Sequence, residues 1–459
     1  MTSLRIQPDM RHPVTRQRVC PMCDTVSTLP ELARGERAHC RYCGHVLFKR
    51  RHVPIGTPAA LAITALILLA FSLSYDYISF SSSGISHSIT LPQAATTPMV
   101  LNYPVLTLLF VIFVLLLPAL YLIGTLYLYL ILALRRQSGR ARYVARLMHY
   151  SLTWVMPDIF VVGVLVSLIK IMSMASISVG ISFWTFCGFS LLTLLTVAHT
   201  SWNEIWEALG GPCRAPKMDT SKRGLQQGMT CCHVCQQPGR VDEHGHGRCT
   251  RCNEVLHART RNSIQHTLAL LLVAAMLYIP SMLWPVMTIN QLGDHAHQTI
   301  IGGVLLLIGY SDYPVALVIF FASVMVPVAK LMALLWLCLK TRQPLPFRYR
   351  NRMRLYHVTH FIGRWSMIDV FVVTVLGSMV QLGALMAIIP EHGIVAFASV
   401  VVITMVAAER FDPRLMWDAA EDAFLRQNTS LQEVMKTSHT SSGQDDIADA
   451  AFDSTQEQG

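Results

Sequence analysis

Trp154-Val155-Met156-Pro157-Asp158-Ile159-Phe160-Val161-Val162 returns as Trp365-Ser366-Met367-Ile368-Asp369-Val370-Phe371-Val372-Val373. A pattern that holds Trp, Met, Asp, Phe and two valines in place marks an internal duplication, the first thing to establish in a long apolar chain. Working outward, other landmarks pair at offsets of 209 to 212 residues. Tyr103-Pro104-Val105 pairs with Tyr313-Pro314-Val315, and Pro118 with Pro327. Cys20-Pro21-Met22-Cys23 and Cys40-Arg41-Tyr42-Cys43 recur as Cys232-His233-Val234-Cys235 and Cys249-Thr250-Arg251-Cys252. The halves therefore correspond element by element.

The chain has 459 residues, 53% hydrophobic and 14% charged, with a mean hydropathy of +0.43. A water-soluble globule is excluded by that balance. Crossing a bilayer takes roughly 20 mostly apolar residues, and eight windows meet or approach this: about 57–75, 104–134, 151–173, 181–199, 265–285, 314–339, 366–389 and 393–408. Some fifty polar, Arg- and Cys-bearing residues precede the first, so it reads as an uncleaved anchor rather than a signal peptide. Basic residues gather in alternate connections: Lys49, Arg50 and Arg51; Arg135, Arg136, Arg140, Arg142 and Arg146; Arg342, Arg348, Arg350, Arg352 and Arg354. The connections 76–103, 174–180, 286–313 and 390–392 have no lysine or arginine and include Asp76, Asp294 and Asp312. This positive-inside pattern places both termini in the cytoplasm. It also accounts for the net charge of +10 without nucleic acid. Each half enters from the same side, so the repeat is parallel.

Eight of the twelve cysteines form two C-x2-C pairs per half, with sixteen residues between the pairs in the first half and thirteen in the second. Two knuckles presenting four thiolates suit tetrahedral Zn, whose binding supplies folding energy to a segment too small for a core. The expected ligands are Cys20, Cys23, Cys40 and Cys43, then Cys232, Cys235, Cys249 and Cys252. Four protein ligands close each site, so the metal is read as structural. Gly44 and Asn253 follow the last cysteine of each set, where a turn calls for a left-handed residue. Disulfides do not fit a reducing compartment, and no βαβ pattern supports a redox C-x-x-C. The second site has an ambiguity, because Cys231 adjoins Cys232 while His233, His244 and His246 lie close by. The ribbon spacing favours Cys232. Cys187 and Cys338 fall in spans as small core residues, and Cys213 is expected to be exposed in a linker.

Charged groups inside the membrane cost ~2.5–3.5 kcal/mol on insertion scales, so each calls for a partner or a function. Asp158 and Lys170 lie in span three, Lys330 in span six and Asp369 at the start of span seven. Two antiparallel neighbours would put Lys330 and Asp369 at similar depth, with Ser323, Ser366 and Thr404 completing a polar cluster. Two readings stand: a buried structural salt bridge or snorkelling lysine, and a titratable pair coupling proton movement to helix rearrangement. Aligning Pro118 with Pro327 sets Tyr121 opposite Lys330, so only the second half has both charges. Pro118 and Pro327 each interrupt a span and are candidate hinges.

These residues resemble the paraquat-inducible protein A (PqiA) family, which includes the inner-membrane protein LetA. The ribbons, the duplicated four-span unit, the Trp-x-Met-x-Asp motif and Phe411-Asp412-Pro413-Arg414-Leu415-Met416-Trp417-Asp418 carry the likeness over roughly residues 15–420. It implies an inner-membrane subunit of a Gram-negative cell working with a periplasmic MCE-domain protein. The implied task is moving phospholipid or similar lipophilic molecules, with a proton gradient as a candidate drive. The family's polar cluster maps onto Ser323, Lys330, Ser366, Asp369 and Thr404. Departures are Cys231, the shorter second ribbon and a long C-terminal tail.

The expected architecture is an all-α polytopic membrane protein, two parallel repeats of four transmembrane helices, each preceded by a small β-rich cytoplasmic zinc ribbon. The segments are ribbon 1 at 15–52, module 1 at 53–200, linker and ribbon 2 at 201–262, module 2 at 263–410, and a cytoplasmic segment at 411–459. Beyond about 420 the tail has eight acids against two bases and is expected to be disordered. No G-x4-G-K-(S/T) loop or catalytic constellation is readable, so neither ATP hydrolysis nor an enzymatic reaction is expected. A membrane-anchored zinc-ribbon scaffold or sensor is the alternative. No aromatic-basic surface for nucleic acid accompanies the ribbons.

Overall fold

The computed structural model describes residues 17–419 except 31, 34, 50–55, 83–84, 135–138, 173–175, 214–215, 292–293, 310, 312, 342–348 and 380–385. The acidic tail therefore lies outside the described residues, as do Arg50, Arg51, Arg135, Arg136, Arg342, Arg348 and Asp312. Among the described residues eight helical segments are long and apolar enough to cross a membrane. They are Thr57–Ser74, Pro104–Ala133, Gly139–Leu168, Ile181–His199, Ser263–Leu283, Phe321–Lys340, Asn351–Ser378 and His392–Arg410, called here spans one to eight.

Spans three and seven depart from the apolar windows in one shared way. Each opens as a basic helix, Gly139–Ser151 and Tyr349–Trp365, breaks at the tryptophan motif, and resumes as an apolar helix, Pro157–Met172 and Ile368–Met379. In the first half, Pro157 lacks the amide that would continue the helix from the preceding turn Leu152–Trp154, so the chain breaks there and restarts with the proline in the first turn. Val155, which closes that turn, is extended at φ −78, ψ 106. The window 366–389 is not one helix: its helix ends at Met379, and Met386–Pro390 is a strand. A short apolar run rich in isoleucine fits either conformation, and pairing decides it.

That strand belongs to a feature the sequence did not announce. Opposite the ribbons, each half carries a three-stranded antiparallel sheet: Asp76–Ser82 pairs with Ile85–Thr90 and Ser176–Val179, and Met287–Gln291 pairs with Asp294–Gln298 and Met386–Pro390. Each sheet ties the chain leaving the first span of a module to the chain entering its last. Both interrupting prolines also share a device. A π-helical stretch, Val111–Leu116 or Phe321–Met325, directly precedes the helix in which Pro118 or Pro327 occupies the first turn. The wider turn absorbs the missing amide hydrogen bond.

The modules meet through the repeated motif itself. The Phe160 and Phe371 rings, equivalent in the two halves, stand edge to face at 5.8 Å. Equivalent residues touch each other only close to a pseudo-twofold axis, so the motif marks that axis. Lipid tails are as apolar as leucine, so close backbone approach holds such helices together. Gly163 permits it: a Cβ there would lie 3.3 Å from the Phe371 Cβ. The Ser167 hydroxyl donates to the Gly163 carbonyl at 2.9 Å and lies 3.4 Å from the Val372 carbonyl of the other module.

The ribbons dock crosswise. Ribbon 1 shares a buried cluster with Leu271, Leu334, Leu337, Tyr356 and Phe411 of the second half, and His45 stacks on His357 at 6.4 Å. Ribbon 2 shares one with Leu128, Ala145 and Met148 of the first half and with the amphipathic linker helix Trp202–Gly210 through Ile205, Trp206 and Leu209. Each ribbon thus rests on the helices of the other repeat.

Candidate functional site

Each ribbon is two hairpins of strands only three or four residues long, Gln17–Val19 with Val26–Thr28 and Arg37–His39 with Val46–Lys49, then Met229–Cys231 with Pro238–Arg240 and His246–Arg248 with Val255–His257. The cysteines sit where these turn. In all four knuckles the residue after the second cysteine donates its amide to the carbonyl of the first: Asp24 to Cys20, Gly44 to Cys40, Gln236 to Cys232 and Asn253 to Cys249, at 2.9 to 3.0 Å. Those four residues all have φ between 56 and 76, so the left-handed position read at Gly44 and Asn253 extends to Asp24 and Gln236. The clue was available, since Asp24 follows Cys23 as Gly44 follows Cys43.

This geometry converges four sulfurs in each ribbon. Cys20, Cys23, Cys40 and Cys43 form one set and Cys232, Cys235, Cys249 and Cys252 the other, each with all Sγ atoms within 4.8 Å of one another. The shorter separations, 3.4 to 3.5 Å, are close to the ~3.8 Å edge of a tetrahedron with bonds of about 2.3 Å to zinc. None is in a disulfide. Buried thiolates this close repel one another, so the donor set calls for a cation. Cys231 is excluded from the set, since it faces away into a patch with Val19, Val26, Met218 and Met229. His233 is turned to Arg414 at 3.3 Å, and His246 to His257 at 3.1 Å on the ribbon surface. Cys338 is buried and Cys187 half-buried in the helical core, as expected, but Cys213 is half-buried against ribbon 1 rather than exposed.

The stretch Phe411–Asp418 has a structural task. The Asp412 carboxylate accepts from the Arg414 backbone amide, Nε and Nη2 at 3.0 to 3.1 Å and from the Thr260 amide at 3.1 Å. Burial pushes this carboxyl up, but the Arg414 charge and these donors win and hold it at about 2. Arg414 reaches on to Thr230 and His233 of ribbon 2. Arg259 forms a two-pronged pair with Asp418 at 2.6 and 2.7 Å and touches Asp24 of ribbon 1 at 3.2 Å. Span eight and both ribbons are thereby clasped at one point. Arg414→Ala would leave Asp412 buried without its counter-ion. A loss of about 3–5 kcal/mol is expected for such a break, read as a lowered melting temperature of the purified protein with both metals still bound.

Within the membrane Lys330, Ser323, Ser366 and Thr404 are all buried, and Asp369 is half-buried. Ser366 and Thr404 donate to carbonyls of their own helices, Gly363 at 2.7 Å and Val401 at 2.9 Å. The Lys330 ammonium has no hydrogen-bond partner among the described residues, where the sequence had offered Asp369. It lies against Gly363, one turn before Ser366: a Cβ on Gly363 would be 2.9 Å from Nζ. Asp158 and Asp369 occupy the first turn of their apolar helices, where the helix dipole favours an anion. Asp158 meets a residue the sequence reading missed: Arg364 of the second module, at 3.7 Å, which also donates to the Val155 carbonyl at 3.2 Å. The comparison that exposed Lys330 could have found it, because Arg364 stands where the first half has Thr153. Of Lys170 only the backbone is described, in the helix Pro157–Met172.

A family model described as Paraquat-inducible protein A matches residues 55–210 and, separately, 264–421. The chain belongs to the paraquat-inducible protein A family. The two matches cover the two membrane modules, so the family's unit occurs twice. Among curated relatives, Intermembrane transport protein PqiA of Escherichia coli (strain K12) is 38% identical over 412 residues, covering 89% of this chain and 97% of that protein. Lipophilic envelope-spanning tunnel protein A of the same strain is 30% identical over 407 residues, covering 89% and 92%. A Probable intermembrane transport protein of Haemophilus influenzae is 27% identical over 404 residues, covering 87% and 95%. No solved structure matches the chain significantly. The family model leaves out both ribbons, although ribbon 2 rests on the first matched module and Arg414 of the second reaches ribbon 2.

Proposed function

We propose that this protein is the inner-membrane subunit of an envelope-spanning lipid transport system, passing phospholipid or another lipophilic molecule to or from a tunnel formed by a periplasmic MCE-domain protein. The ribbons and both termini then face the cytoplasm, the two sheets face the periplasm, and each ribbon holds a structural zinc ion. No ATP, nucleic acid or enzymatic step enters this reading. The polar residues Lys330, Asp369, Ser323, Ser366 and Thr404 serve proton coupling in the second module, and Asp158 with Arg364 braces the modules. The observation that carries the reading is an apolar crevice of about 770 Å3 at the sheet-side ends of the spans, in a family whose named relatives are transport proteins. Leu277, Trp284, Val395 and Val105 line it, and Glu391 and His392 stand within it. Its volume falls in the range of ligand pockets, roughly 300–1,000 Å3.

The alternative, a scaffold that only anchors its ribbons, fits less well with ribbons clasped to span eight and packed on both modules. The test is gentle extraction from membranes followed by mass spectrometry of what comes with the protein. Phospholipid and an MCE-domain protein are the expected companions. Absence of both would leave the scaffold as the better reading.

A further inference from the structure

Ribbon 2 and the basic helix Gly139–Ser151 enclose a cleft of about 460 Å3, lined by Arg142, Tyr143, Arg146, Arg248, Thr250 and Asn253 among others. The three guanidinium groups are not equally engaged. Arg146 pairs with Glu254 at 2.8 Å and donates to the Cys252 carbonyl at 2.5 Å. Arg142 and Arg248 are exposed, and neither guanidinium makes an ion pair or hydrogen bond with a described residue. Thr250 accepts from Gln237 at 3.1 Å, so its own hydroxyl proton is still to be placed. Two cations with no ion-pair partner among the described residues, beside a paired third and the metal-site cysteines Cys249 and Cys252 that also line the cleft, suit an anion with several acceptor oxygens.

The helix that supplies Arg142 also says where the anion comes from. Tyr143, Leu147 and Tyr150, spaced four and three residues apart, form one outward stripe and are 65%, 54% and 54% exposed. Their helix leads into the apolar part of span three, so the stripe lies at the membrane boundary on the ribbon side, where tyrosine and basic residues gather. We propose that the cleft binds the phosphodiester of an anionic phospholipid in the ribbon-side leaflet. Arg142 and Arg248 hold the phosphate oxygens, and the acyl chains lie along Tyr143 and Leu147. The site is separate from the sheet-side crevice and does not depend on the transport reading. A lipid held there bridges ribbon 2 to the membrane through the module on which it already rests.

The competing explanation is that these arginines only balance the two negative charges of a zinc tetrathiolate. Native mass spectrometry of the full-length protein, titrated with phosphatidylglycerol and reporting metal content in the same spectra, separates the two. Wild-type protein should retain one phosphatidylglycerol in preference to phosphatidylcholine. Arg142→Gln with Arg248→Gln should weaken it roughly thirtyfold, about fivefold per guanidinium, with two metals still bound. Arg142→Lys with Arg248→Lys should retain most of the affinity. Unchanged lipid retention in the glutamine variant overturns the proposal, as does a loss that tracks loss of metal. Inorganic phosphate that displaces the lipid at equal concentration would overturn the lipid assignment in favour of a soluble phosphate.

Discussion

Cys249→Ser combined with Cys252→Ser is expected to halve the metal content of the purified protein and unfold ribbon 2, while the eight spans still insert. The strands of that ribbon are three residues long, and its buried interior is largely the four cysteines themselves with Val234 and Leu256. Nothing of that size holds a core unaided. Metal binding in such segments contributes on the order of 10–16 kcal/mol, more than any single helix contact could restore. The loss should spread, because ribbon 2 buries Trp206 of the linker helix and carries Thr230 and His233, which meet Arg414. Two readouts check it: metal per chain by elemental analysis, expected to fall from two to one, and limited proteolysis, expected to open cleavage within 201–262. A variant that still binds two metals, or resists protease as well as wild type does, would remove the four-cysteine site as the source of the ribbon's stability.

What the sequence made legible here is what depends on short-range spacing. C-x2-C fixes a knuckle because one turn brings its two sulfurs together, so the two four-cysteine groups could be read from spacing, whereas the choice of Cys232 over its neighbour Cys231 needed the fold, which turns Cys231 into another patch. Long apolar windows fix spans because twenty hydrophobic residues have few other fates in water. Periodicity fails where an apolar run has two. Met386–Pro390 is a strand only because Met287–Gln291 lies beside it, a partner about a hundred residues away. The crosswise docking of the ribbons was hidden for the same reason, since a ribbon adjacent in sequence to span one gives no sign of packing on spans five to seven.

The intramembrane charges show the limit most clearly. Sequence alignment of the halves found that Lys330 has no counterpart in Tyr121, which is a statement about composition. Pairing is a statement about rotation and tilt, and there the expectation of a direct Lys330–Asp369 contact gave way to Lys330 lodged against Gly363. The same duplication that revealed the fold also concealed an interaction: Asp158 looked like the equivalent of Asp369, yet its neighbour Arg364 comes from the opposite module. Some residues that meet across the pseudo-twofold axis are equivalent, as Phe160 and Phe371 are, but Asp158 and Arg364 meet there without being so.

Lys330→Met is expected to abolish lipid transport while raising stability, and the two effects together decide between the readings of this residue. Methionine is an unbranched chain one atom shorter than lysine, so most of the space beside Gly363 stays filled and at most the volume of the ammonium is left. It removes a cation whose ammonium has no hydrogen-bond partner among the described residues. A buried charge costs ~2.5–3.5 kcal/mol in a membrane helix, so replacing it should raise the melting temperature. A residue kept for structure would behave in the opposite way. Asp369→Asn, which conserves shape and removes a titratable group from the first turn of its helix, should likewise silence transport with normal insertion. The measurement is an envelope-permeability assay on cells expressing each variant at wild-type level, paired with thermal melting of the purified proteins. Full activity in both variants would end the case for proton coupling at this site. Lost activity with a lowered melting temperature in Lys330→Met would assign the lysine to folding instead.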